Sequence, residues 1–283
     1  MSVTGRPSIG VALLLVILPL GLLSLSGVAT AQQRRIPRDL VLATTTSVRD
    51  AGLLDELLPS FERAAARRVK VVAVGSGQAI ELGRRGEADL LIVHDPERER
   101  EFMASGLGSE RVPLMHNEFV VLGPRDDPAA IRRVARVADA FRAIAAARAR
   151  FVSRGDRSGT HAKETAVWAA AGVTPGNEWY RESGQAMGQT LQIASELGAY
   201  TLSDIGTFLA HKAPLELEIL VEGDTVLLNP YHILVPNPDR FPWVDIQGAM
   251  KLRDFLLAAG TQRRIGAFGK PEYGRSLFVP EVR

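Results

Sequence analysis

Apolar residues come in two rhythms along this chain, and the switch between them repeats. Leu40 to Ala43 is a short continuous apolar run that predicts a buried strand, ending in the hydroxyl stretch Thr44-Thr45-Thr46-Ser47. Leu53, Leu54, Leu57, Leu58 and Phe61 then recur at helical spacing. Ser47 with Asp50 three positions on resembles a capping box for that helix, and Pro59 is expected to bend or split it. Val69 to Val74 predicts a second strand, Gly75-Ser76-Gly77 a tight loop, Gln78 to Arg85 a short helix, and Ala88 to Val93 a third strand. Further strands are expected at Glu118 to Gly123, Phe151-Val152, Ala199 to Leu202, Ile219 to Glu222 and His232 to Val235. Helices are expected over Ile131 to Arg148, from the loop Ser153 to Thr160 as far as Ala171, from Gly188 to Leu197, and over Ile246 to Ala258 and Thr261 to Phe268. Strand, loop and helix in repetition mean an α/β fold with a mainly parallel sheet and crossover helices.

The amino-terminal segment follows neither rhythm. Arg6 gives a positive start, Val11 to Leu25 is almost unbroken Leu, Val and Ile, and Ala29-Thr30-Ala31 is a small-x-small site just before Gln32. These are the three parts of a cleavable secretory signal over 1–31, which places the mature protein in a bacterial periplasm. The apolar run is short and interrupted by Pro19 and Gly21, which argues against a retained anchor. The absence of cysteine then becomes informative: an exported chain with no thiol has no disulfide, no thiolate metal site and no cysteine for a lipid anchor. Its stability must come from a packed core. The net charge of +2, with basic residues scattered rather than striped, excludes a nucleic-acid binder.

The chemistry concentrates in loops between a strand and the next helix. Thr44 to Ser47, Gly75 to Gly77 and Ser153 to Thr160 are all built from hydroxyls and glycines. In a parallel α/β sheet such loops gather at the carboxyl ends of the strands, and each opens a helix whose first N–H groups lack partners. Together they make a cradle of donors for an anion. Each Ser or Thr alone could equally cap its own helix. The third loop reads Ser153-Arg154-Gly155-Asp156-Arg157-Ser158-Gly159-Thr160-His161. Arg154 offers a planar fork to two oxygens of a tetrahedral anion, with Ser158, Gly159 and Thr160 adding hydroxyls and N–H groups. Asp156 is a carboxylate to orient Arg154 or Arg157, and His161 is either a donor to the anion or a packed first-turn residue. Asp95 is either an acceptor for a protonated oxyanion or, as Asp-Pro-Glu favours, the cap of a helix beginning near Pro96.

Catalytic patterns are missing. Neither Ser76 nor Ser158 sits in G-x-S-x-G, no GxxxxGK[ST] loop exists, and Ile80 stands where a GxGxxG fingerprint needs its third glycine. The five histidines show no metal-ligand spacing, so neither an enzyme nor a cofactor is expected.

Ala43 to Ser47, Val74 to Ala79 with Gly83-Arg84-Arg85-Gly86, and Ser153 to His161 resemble the tungstate-binding proteins of bacterial ABC transporters. Gly184 to Gly188, Ala199 to Asp204 and Asn229-Pro230-Tyr231 extend the resemblance over the mature chain. It implies the two-lobed type II periplasmic binding protein fold, each lobe a mainly parallel sheet flanked by helices, with the anion in the cleft. Lobe 1 would comprise 36–117 and 229–283, and lobe 2 would comprise 118–228. The implied oxyanion-binding set is Thr45, Thr46, Ser47, Ser76, Arg154, Ser158, Gly159 and Thr160. The implied partners are tungstate or molybdate and an ABC transporter permease, with the chain a monomer. Phosphate or sulfate as ligand, or a sensor in place of the permease, are the alternatives.

Overall fold

The first apolar run becomes β1 (Leu40–Thr45), buried except at Val41, and its last residues are threonines of the hydroxyl stretch. The computed structural model describes residues 38–176 and 178–281, so the expected signal sequence lies outside the described residues. Among the described residues no helix is long and apolar enough to cross a membrane. β1 runs into a short helix, α1 (Thr46–Asp50), and past Ala51 and Gly52 into α2 (Leu53–Ala65). The break falls at Gly52, whose φ of +82° is left-handed, and not at Pro59, which α2 carries on its exposed side. The expected capping box does not form: Thr45 is the N-cap residue, and Ser47 Oγ lies 3.0 Å from Thr45 Oγ1. α2 buries the five apolar residues read from the sequence, worth roughly 1.5–3 kcal/mol each.

β2 (Val69–Val74), α3 (Ser76–Arg84), β3 (Leu90–Val93) and α4 (Pro96–Ala104) follow. β1 lies between β2 and β3 and pairs parallel with both, Thr45 opposite Val74 and Thr44 opposite Ile92. The loops leaving these three strands therefore emerge side by side at one end of the sheet. β4 (Gly108–Gly123) is a 16-residue strand of which the sequence pattern exposes only the end, because Pro113 and a polar start mask the rest. α5 (Val137–Ala146) is shorter than Ile131 to Arg148; Ala130 and Arg133 take positive φ and hold the preceding segment out of helix. Next come β5 (Phe151–Ser153), α6 (Gly159–Ala171), β6 (Tyr180–Glu182), α7 (Met187–Glu196), β7 (Thr201–Asp204), α8 (Ile205–His211) and β8 (Glu218–Val221). A 3-10 turn at Thr225–Leu227 leads to β9 (Leu228–Pro236), and α9 (Ile246–Leu257), α10 (Ala259–Ala267), α11 (Lys270–Tyr273) and β10 (Val279–Pro280) complete the chain.

The strands are mixed in direction. β2, β1 and β3 are parallel, as are β5 and β6, which is what strand–helix alternation requires. β9 runs antiparallel to β3 and β4, and β4 antiparallel to β7, β8 and β10. β4 and β9 pair from Gly108 opposite Pro236 to Glu118 opposite Leu228, after which β4 exchanges β9 for β7 and β8. Alternate residues feed opposite cores. Leu90 and Ile92 pack with Leu57, Phe61 and Ile233, whereas Leu91 and Val93 pack with Ile80, Phe102 and Leu234. Phe119 and Val121 join Phe141, Trp168 and Tyr200, whereas Val120 and Leu122 join Leu191 and Phe208. Both stretches of sheet are thus covered on both faces, which is why their strands read as continuous apolar runs.

Candidate functional site

The three hydroxyl loops converge. Thr44 is occupied structurally, its hydroxyl donating to the Ile92 carbonyl at 3.0 Å, so it ties β1 to β3. Thr45 and Ser47 are buried and bonded to each other, and Thr46 is half-buried. Ser76 opens α3 behind Gly75, which supplies no capping side chain, so the first N–H groups of that helix keep their donor capacity. Ser76 is fully buried, yet its Oγ has no hydrogen-bond partner. The Gly75 backbone lies against the third loop, where an added Cβ would sit 3.7 Å from the Ser158 Cα.

That third loop is shaped by Gly155 and Arg157, both in the left-handed region at φ +60° and +59°. The kinked path turns the Arg154 side chain inward, where it is 4% exposed. Arg154 Nη2 pairs with Asp156, and Nε donates to the Gln185 carbonyl at 3.2 Å. Asp156 therefore orients Arg154, not Arg157, and its other oxygen accepts from Ser158 N at 3.0 Å. Ser158 Oγ caps α6 by accepting from His161 N at 3.3 Å. His161 Nδ1 accepts from Arg157 N, which assigns this histidine to the turn. Thr160, one residue into α6, is buried with its Oγ1 unpartnered. At Gly159 a Cβ would come within 2.9 Å of the His94 ring and 3.0 Å of its carbonyl oxygen, so only glycine lets α6 approach His94.

Asp95 is a cap. Its Oδ1 accepts from Arg98 N at 3.2 Å and its Oδ2 pairs with Arg98 Nη1 at 2.7 Å. The same Nη1 donates to the Arg157 carbonyl at 3.1 Å, joining α4 to the loop before α6. Outside this contact runs a groove of about 690 Å³, rimmed by Arg85, Arg98 and Arg157.

A polar network that sequence reading did not assign to the site lies on β4 and β9. His94 Nδ1 is 2.8 Å from Asn229 Oδ1, while Asn229 Nδ2 donates to Asn117 Oδ1 at 2.7 Å and to the Tyr231 hydroxyl at 3.0 Å. With Asn229 Oδ1 free to accept, His94 carries its proton on Nδ1. Burial holds the His94 imidazole below its ordinary pKa, against the raising effect of the Asp204 carboxylate. Asn117 Nδ2 makes a long contact of 3.5 Å to Asp204 Oδ1, which also accepts from Thr207 N at 2.9 Å. Asn229 and Asp204 belong to stretches that carry the family resemblance, but no local spacing links them to His94 and Asn117.

Among the described residues, four buried side-chain polar atoms have no partner: Ser76 Oγ, Thr160 Oγ1, Asp204 Oδ2 and Thr207 Oγ1. Each belongs to the first residues of a helix or to its cap. Leaving a buried hydroxyl unbonded costs about 1–3 kcal/mol, so such atoms concentrated at facing helix starts indicate a polar ligand. The start of α3, with Ser76, thus lies against the start of α6, with Ser158, Gly159 and Thr160, at the Gly75–Ser158 approach. Arg154 stands in the loop leading into α6, and Thr45 and Ser47 close the end of the neighbouring strand.

Comparison with known proteins agrees in kind. Residues 27–259 match the model of a PBP superfamily domain. The chain is 44% identical to a tungstate-binding protein of Peptoclostridium acidaminophilum, over 86% of this chain and 86% of that protein. Among solved structures it is similar to a tungstate ABC transporter protein of Geobacter sulfurreducens, at 44% identity and a TM-score of 0.74, covering 80% of this chain and 97% of that one. The tungstate-binding protein of Desulfovibrio alaskensis superposes with the same TM-score at 39% identity, over 86% and 99% of the two chains.

Proposed function

This chain belongs to the PBP superfamily and, within it, to the family of tungstate-binding proteins, and from that premise we propose that it captures tungstate in a cleft and delivers it to an ABC importer. The observation that carries the reading is the pair of unpartnered buried hydroxyls, Ser76 and Thr160, at facing helix starts beside the buried Arg154 guanidinium. Tungstate is a dianion near neutral pH, and hydroxyls, helix-start N–H groups and a guanidinium fork are the donors it requires.

The ligand set is Thr45, Thr46, Ser47, Ser76, Arg154, Ser158, Gly159 and Thr160. Residues 36–117 with 229–283 form one lobe and 118–228 the other, with β4 and β9 as the crossing strands. Loops of both lobes supply donors, so the anion favours the closed arrangement, and a membrane permease recognises that arrangement. The protein is exported by the 1–31 signal, works as a periplasmic monomer, and carries out no chemistry on its cargo.

Equilibrium dialysis of the chain beginning at Gln32, with tungsten quantified by mass spectrometry, tests the reading. One tungsten per chain, retained against a hundredfold excess of phosphate and sulfate, is the expected result. A chain that retains none, or loses it to phosphate, overturns it.

A further inference from the structure

Two of the four unpartnered buried atoms lie outside the ligand set just described. Asp204 Oδ2 and Thr207 Oγ1 are both buried and both without a partner. Asp204 ends β7, opposite Phe119 of β4, and its other oxygen is engaged by Thr207 N and Asn117 Nδ2. The segment after it lies against Ala51 at the end of α1, since an added Cβ on Gly206 would lie 3.5 Å from Ala51 Cβ. Tyr231, on which the Asp204 carboxylate acts, hydrogen-bonds with Ser47 of the first hydroxyl loop. The Asp204 charge also acts on His94, whose ring and carbonyl fill the space beside Gly159. This carboxylate is therefore linked through Tyr231 to Ser47 of the first loop and through His94 to the start of α6.

A carboxylate there conflicts with a dianion unless its charge is removed. The Asp204 carboxylate acts on His94 from the loop after β3 and on Tyr231 from β9. His94 in turn feels Arg154 from the loop after β5 and Glu99 of α4, which is engaged by Arg111 and His232. Arg154 is paired with Asp156. On α1, which packs on α8, Arg49 and Asp50 pair with each other; on α6, Lys163 donates to the Val226 and Leu228 carbonyls. Burial keeps His94 neutral near pH 7 and the Tyr231 hydroxyl protonated. Among the described residues the Asp204 carboxylate makes no ion pair, so an ionised Asp204 beside an entering dianion would place like charges together in a dry site.

We propose, resting on the anion-capture reading above, that Asp204 and Thr207 are further anion-contacting residues and that tungstate binds together with one proton held on Asp204 Oδ2. The proton comes from solvent. It changes Oδ2 from an acceptor that repels the anion into an O–H donor to one of its oxygens, and Thr207 Oγ1 donates to another. A hydrogen-bearing oxyanion brings its own proton to the same oxygen, so Asp204 sets how the site treats protonated and unprotonated anions.

Calorimetric titration of the mature chain with sodium tungstate, in buffers of differing ionisation enthalpy, reads the proton count directly. The expected result is uptake of about one proton per tungstate, with affinity falling roughly tenfold per unit rise in pH above neutrality. Asp204→Asn retains the Oδ1 acceptor that caps α8 and should bind tungstate with no proton uptake and no such pH slope. At the alkaline end it should bind at least as tightly as the parent. Thr207→Val should weaken binding and leave the proton count unchanged. Tungstate binding without proton uptake by the parent chain, or uptake that persists in Asp204→Asn, overturns the inference while leaving the anion-capture reading intact. A parent chain that binds no tungstate in any buffer overturns both.

Discussion

Arg98 reaches across to Arg157: one guanidinium nitrogen donates to the Arg157 carbonyl at 3.1 Å while pairing with the Asp95 carboxylate at 2.7 Å. The bond joins α4 to the loop before α6, next to the contact between Gly75 and Ser158; in the proposed two-lobed reading it is a latch on closure outside the anion site. Arg157 adopts φ +59°, a conformation that presents its carbonyl there. Arg98→Ala should weaken tungstate affinity about five- to tenfold, corresponding to the ~1–1.5 kcal/mol of one hydrogen bond. A titration monitored by calorimetry checks this, and an unchanged affinity would mean that the latch does not bias closure.

Arg154 and Arg157 lie three positions apart in sequence and differ completely in setting, the first buried and paired with Asp156, the second exposed. Arg154→Ala should cost at least about a hundredfold in affinity, as loss of a bidentate charged donor implies. Arg157→Ala should stay within about threefold, because its contribution is a backbone carbonyl. Equal losses in the two variants would mean that the wrong guanidinium has been placed on the anion.

Ser76 and Thr160 offer a test in which stability and affinity separate. Their hydroxyls are buried without partners, so Ser76→Ala and Thr160→Val remove an unsatisfied group from the anion-free protein. Each variant should melt at the same temperature as the parent or higher, and bind tungstate about tenfold more weakly. A marked fall in anion-free stability would assign these hydroxyls to the fold instead.

Glu164 lies beneath the Arg154 loop, accepting from the Tyr180 hydroxyl at 2.8 Å and Trp168 Nε1 at 3.2 Å. Burial raises its carboxyl to about 7 from an ordinary 4.5. Between those values the folded chain holds a proton that the unfolded chain has released. Stability should therefore fall as pH rises through this window, by an amount on the order of 3 kcal/mol. Denaturant titrations at stepped pH should show this slope, and Glu164→Gln should flatten it. A slope that survives the substitution would have to come from other groups.

Much of this arrangement is legible in the sequence. β2 occupies Val69–Val74, the run the sequence marks, and α9 ends one residue short of the expected Ala258, because unbroken apolar runs and a clean helical period speak for themselves. The hydroxyl loops were legible as chemistry because each stands at a strand–helix junction. β4 and β9 were seen only at their apolar ends. Pro113, Asn229 and Pro230 look like breakers locally, and long-range pairing between the two strands overrides them. The His94–Asn229 bond joins residues 135 positions apart, and Asp204 and Asn117 come from two further segments, so no window of sequence contains that network. Capping and binding compete at every Ser and Thr, and only the fold separates Ser158, which caps α6, from Ser76 and Thr160, whose buried hydroxyls have no partner.

Thermal unfolding of the mature chain with tungstate, molybdate, phosphate and sulfate in turn tests the central claim most directly. A ligand at about a thousand times its dissociation constant adds roughly 4 kcal/mol to stability. For a chain of this size that raises the melting temperature by about 8–16 °C. A rise of that order is expected with micromolar tungstate, cut to about a third or less by Arg154→Ala, with little change on adding phosphate or sulfate. A melting temperature that tungstate leaves unmoved, or that phosphate alone raises, would contradict it.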